Sequence, residues 1–110
     1  MNTLEYRVAA QSDGAGGFVP VTFEKANLGF SPADTYSGVQ VSCKNLAGGT
    51  FDVWFKPRGC EQPIVFIEGA TETDAVFLEN RFVFDAVSVV FNPGAGAAPA
   101  VCAAFIKRSF

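Results

Sequence analysis

Four carboxylates stand within the stretch EGATETDAVFLE, at Glu68, Glu72, Asp74 and Glu79, and closely spaced oxygen ligands are what a calcium ion takes. Their spacing fits no compact calcium loop, so the stretch reads first as a solvated turn. A pair of carboxylates flanking a sugar linkage hydrolyses glycosides, but nothing pairs a particular two of the 11 acids, and 110 residues leave little room for a substrate cleft. Gly14, Gly16 and Gly17 invite a phosphate-binding reading, yet the segment after them, FVPVTFE, is strand-like, whereas a dinucleotide fingerprint must open a helix. The chain contains no histidine, so neither a Ser-His nor a Cys-His nucleophile can be assembled. The three cysteines, Cys43, Cys60 and Cys102, have no C-x-x-C spacing. Free thiols are expected, with Cys43 and Cys102 as small core residues and Cys60 exposed after the Arg58-Gly59 turn. These residues predict no enzymatic activity, no cofactor and no metal.

The elements that carry them are strands. Val, Phe, Thr and Ile alternate with polar residues and are interrupted every eight to twelve positions by turn chemistry, at SDGAGG (12–17), NLGFSPAD (27–34), NLAGG (45–49), KPRG (56–59) and NPGAGAAP (92–99). Strands are predicted near residues 4–10, 18–24, 37–44, 50–56, 63–68, 74–79, 81–91 and 100–107. No window keeps a helical apolar period. The expectation is one domain over residues 1–110, an all-β antiparallel sandwich of about eight strands, jelly-roll or immunoglobulin-like. The strands RFVFDAVSVVF and AVCAAFIK are expected to form a central hairpin, with Pro93-Gly94 at the inner positions of a type II turn and the 92–99 loop projecting from it. In the first of these strands both parities are largely apolar, Phe82, Phe84, Ala86, Ser88 and Val90 against Val83, Asp85, Val87, Val89 and Phe91. A strand apolar on both sides needs cover on both sides, from a loop or a neighbouring subunit.

GTFDVWFKPRG poses the sharpest question about the surface. If Phe51, Val53 and Phe55 face the core, Trp54 lies outside between Asp52 and Lys56. Three arrangements accommodate it: the 27–34 loop folds over the indole, a protein partner packs on it as Trp does at interface hot spots, or a sugar stacks on it beside a second aromatic such as Tyr6 or Tyr36. The residues chosen for an interface are Trp54, Asp52, Lys56, Pro93 and Gly94 of the small-residue loop, and the terminal Phe110 of FIKRSF.

Composition points the same way. Hydrophobic residues make up 49% of the chain and charged residues only 17%, against about 25% in ordinary domains. A small domain has much surface to cover, so this deficit suggests that part of it meets another chain. A net charge of −3 with eight basic residues argues against nucleic acid. The start MNTLEYRVAA has no signal-peptide pattern, and no apolar run approaches the roughly 20 residues of a membrane-spanning helix. A soluble protein made in the cytoplasm, without a membrane partner, is expected.

Taken together, LAGGTFDVWFKPRG and EGATETDAVFLENRFVFDAVSVVFNPGAGAAPAVCAAFIKRSF resemble the small all-β accessory structural proteins of tailed bacteriophages, the capsid decoration or cement proteins and tail-associated modules. The shared style is Gly-Ala-rich turns, Phe/Val-rich strands, low charge and no catalytic set, over roughly the C-terminal two-thirds. The resemblance implies a non-enzymatic virion protein, made in the host cytoplasm, that forms a homo-oligomer and contacts a capsid or tail protein. The competing expectation is a carbohydrate-binding sandwich module for host recognition.

Overall fold

Alternation in Phe51-Asp52-Val53-Trp54-Phe55-Lys56 sets the inside and outside of the molecule. Phe51, Val53 and Phe55 are buried, while Asp52, Trp54 and Lys56 stay half-buried on the opposite face. The computed structural model describes residues 2–28, 36–79 and 84–107. Among the described residues eight strands form: β1 (Asn2–Ala9), β2 (Val21–Glu24), β3 (Tyr36–Lys44), β4 (Thr50–Pro57), β5 (Ile64–Ala70), β6 (Val76–Glu79), β7 (Phe84–Asn92) and β8 (Ala100–Lys107), with one short 3-10 turn over Lys25–Asn27. They match the predicted segments to within a few residues. The second strand starts later than expected because Pro20 has no N–H to give to a ladder, leaving Phe18 in an isolated bridge to Ser12. Residues 81–83 of the seventh predicted strand lie outside the described residues.

Two four-stranded sheets, ordered β1-β8-β3-β6 and β2-β7-β4-β5, pack as a sandwich, and every paired neighbour is antiparallel. The pairs β1·β8, β2·β7, β3·β6 and β4·β5 are those of one long hairpin wound over itself, which is the jelly-roll arrangement. An immunoglobulin-like sandwich pairs its first two strands within one sheet, and here β1 and β2 belong to different sheets. The expected hairpin between RFVFDAVSVVF and AVCAAFIK does not form. β7 and β8 also lie in different sheets, and residues 93–99 carry the chain from one to the other.

That link does not project. Gly94 N–H donates to the Leu46 carbonyl at 2.8 Å, Ala98 N–H to the Asn45 carbonyl at 3.0 Å, and the Pro99 carbonyl accepts from Ala10 N–H at 2.8 Å. Its left-handed residue is Gly96, at φ +80° with Ala97 N–H donating to the Gly94 carbonyl, so the turn sits at Ala95-Gly96 rather than Pro93-Gly94. The partner turn, Leu46 to Gly49, has positive φ at both inner positions, 51° at Ala47 and 81° at Gly48, closed by Gly49 N–H to the Leu46 carbonyl. Such a turn favours Asn-Gly, and alanine is strained there. Ala47→Asn is expected to stabilise the protein by about 0.5–1 kcal/mol, read as a higher urea midpoint at unchanged m-value.

Between the sheets, Phe105 is the hub of an aromatic cluster. Its ring centroid lies 5.8 Å from Tyr6, 5.5 Å from Phe23 and 6.2 Å from Phe84. Phe84 reaches this core because of a register shift where β7 passes Lys56 and Pro57. With one extra residue in β7 at that point, the parity of the strand reverses, and Phe84 points inward together with Val87, Val89 and Phe91. The two-sided apolarity read from the sequence is therefore partly a change of face. On the outer side β7 presents Ala86, Ser88 and Val90.

Candidate interaction surface

Trp54 lies where the alternation of β4 puts it, on the outer face of the β2-β7-β4-β5 sheet. In register across that face run Thr22, Ser88, Trp54 and Val65. The Thr22 and Ser88 hydroxyls bond each other at 3.0 Å, whereas Trp54 Nε1–H is buried and has no hydrogen-bond partner among the described residues. A buried donor left unpaired costs about 1–3 kcal/mol. Residues 29–34 of the loop expected over the indole lie outside the described residues, as does Phe110.

The other chosen residues are divided by the structure. Asp52 is a staple between strands: Oδ1 accepts Gly69 N–H from β5 at 2.9 Å and Oδ2 accepts Asn92 Nδ2–H from β7 at 3.2 Å. Lys56, opposite Ala86, is half-buried on the same face. Pro93 follows Asn92 at the end of β7, and Gly94 is pressed against the 45–49 turn, where its backbone is already committed. Tyr6 belongs to the core cluster and does not stand beside Trp54. The side chain of Tyr36 is not among those described.

The acidic stretch behaves as a turn. Asp74 Oδ2 accepts from Thr71 N–H and Oγ1–H at 2.8 and 3.1 Å, and Glu72 accepts Leu46 N–H from the neighbouring turn. Among the described residues no cluster of three or more potential ligands forms a metal site. All three cysteines are free thiols. Cys43 is a core residue and Cys60 is exposed, as expected, but Cys102 is half-buried on the outer face of the other sheet rather than in the core. There it floors a shallow depression of about 190 Å³ with Ala104, between Glu5 and Arg7 on one side and Gln40 and Ser42 on the other.

Burial, and secondly the nearby Cys102, push the Cys43 thiol from 9.0 up to about 12. At pH 8 a thiol reagent is therefore expected to modify Cys60 first and to spare Cys43 until the protein unfolds. Because the folded value is the raised one, this thiol's contribution to stability is full below pH 9 and is lost as pH climbs towards about 12.

The surface that sequence reasoning missed is β5. Ile64, Phe66 and Ile67 are 50%, 37% and 38% exposed at the end of their sheet. Two register shifts against β4 break the alternation there, so consecutive apolar residues emerge on one flank. The signal is the unalternated run IVFI after Pro63. Neither the sequence nor the fold finds a match among known protein families, curated proteins or solved structures.

Proposed function

We propose that this chain is a non-enzymatic virion structural protein, of the capsid decoration, cement or tail-associated kind, that acts through protein–protein contacts. The observation that carries this reading is the apolar flank of β5, in a chain whose charged fraction is only 17%. Apolar side chains grouped at one edge of a small domain mark a contact surface. Its end turns are knitted by backbone bonds and by Glu72, so they offer a stiff scaffold that loses little freedom on docking. Cement of this kind binds a composite site that exists only between assembled subunits, and the shared buried area stabilises the shell. Jelly rolls serve as capsid and as lectin domains alike, so the fold is compatible with both readings and selects neither.

A second reading, a carbohydrate-binding module, is favoured by one observation: Trp54 stands half-buried on the outer sheet face, in register with Ser88 and Val65 and on the same face as Asp52. One experiment separates the two. The purified protein is sedimented with assembled tailed-phage shells stripped of accessory proteins and with their free subunits, while wild type and Trp54→Ala are probed on a glycan array. Binding to shells and not to free subunits supports the structural role. Absence from shells, with glycan binding that Trp54→Ala abolishes, replaces it with the second reading.

A further inference from the structure

We propose that β5 is a homodimer contact: two copies lay their β5 edges antiparallel across a two-fold axis, packing Ile64, Phe66 and Ile67 of one against the same residues of the other. This rests on the reading of the chain as a protein that works through protein–protein contacts, and it names the first partner as a second copy of the chain. β5 is the vulnerable edge of the molecule. Among the described residues β2 and β6, at two other sheet ends, span four residues each, and β1 carries Glu5 and Arg7 on its exposed side. Short or charged edges are protected against pairing.

The distribution of charge selects the occupant. Gln62 to Ile67 is uncharged; Lys56 and Arg58 lie at one end of the β4–β5 hairpin, moderated by Glu61, while Glu68, Glu72 and Asp74 lie at the other. A partner needs an apolar centre with the reverse order of charge along it. A second copy turned by a two-fold axis supplies both, its acidic end meeting the basic end twice over, because a two-fold contact is self-complementary. The same copy laid parallel would set like charges together. The two register shifts and the left-handed Gly69, at φ +75°, interrupt the row of free backbone groups, so the contact is made by side chains and not by a continuous ladder. A contact consumed by its own symmetry closes at two copies.

The test is the solution mass over a range of concentrations, for the wild type, Ile64→Lys, Ile67→Lys and Val19→Lys. Val19 is a comparably exposed apolar residue remote from β5 in sequence and sheet position. The wild type and Val19→Lys are expected to reach twice the chain mass of 11.7 kDa, and the two β5 variants to stay at the single mass with unchanged circular dichroism. In the wild type, amide exchange at residues 64–67 is expected to slow as concentration rises, which needs no variant. A wild type that remains single at every concentration overturns the proposal, and so does a dimer that survives in a folded Ile64→Lys or Ile67→Lys protein. A dimer that ignores phage shells leaves the contact standing and removes the virion role; a monomer that binds shells does the reverse.

Discussion

Phe105→Ala is expected to lower stability by about 3–5 kcal/mol, measured as a fall in urea midpoint at constant m-value. Phe105 is fully buried on β8 and touches rings from three other strands, Tyr6 of β1, Phe23 of β2 and Phe84 of β7. These belong to both sheets, so the ring is a rivet between the layers and its loss leaves a cavity that neither sheet can close alone. Domains of this size have only about 5–15 kcal/mol in total, so the variant will sit near the limit of folding at physiological temperature. Phe105→Leu, which keeps most of the volume, should recover well over half of the loss. A cost for the alanine variant below about 1 kcal/mol would mean that the rings are not packed as described.

Gly94→Ala is expected to cost about 3 kcal/mol, although the substitution adds a single methyl group on a surface link. A Cβ there would drive into the Ala47 carbonyl oxygen and lie 2.9 Å from its carbon. Both obstacles are backbone, so neither can rotate away. The 93–99 link and the 45–49 turn would have to separate, breaking the Gly94 N–H to Leu46 carbonyl bond and straining the Ala98 to Asn45 bond beside it. Gly59→Ala separates the two causes: Gly59 has a left-handed φ of +78° with no heavy atom within 4 Å of an added Cβ, whereas Gly94 has no left-handed φ and only the close approach opposes a side chain. Gly59→Ala should cost only about 1–2 kcal/mol. A loss at Gly94 below about 1 kcal/mol would show that the two loops part readily and that their close approach does not hold the link in place.

The clamp at Gly94 also changes how the loop is understood. A run of Gly, Ala and Pro without charge has the composition of a mobile tip and by itself predicts one. In the fold the same smallness lets two backbones touch, because Gly94 has no side chain to hold them apart. Composition reports what a segment can tolerate, and only its neighbours decide whether that tolerance becomes mobility or contact.

Sequence alone determined the strands and the face that each presents at the centre of the molecule. Period-2 alternation is a local property: once Phe51, Val53 and Phe55 are buried, the pleat forces Trp54 outward, and the structure agrees. Turn positions were legible for the same reason, since left-handed glycines at Gly14, Gly48 and Gly59 stand inside predicted breaks. Strand order was not legible. Which strands pair depends on contacts between residues far apart in the chain, and RFVFDAVSVVF and AVCAAFIK suit a hairpin as well as they suit opposite sheets. The bulges in β5 and β7 were hidden likewise, because an extra residue is defined only against a partner strand. So the tertiary structure, not the sequence, turned Phe84 inward, placed Tyr6 in the core and Cys102 outside it, and left Ile64, Phe66 and Ile67 facing water, because each of these outcomes is fixed by register between distant strands.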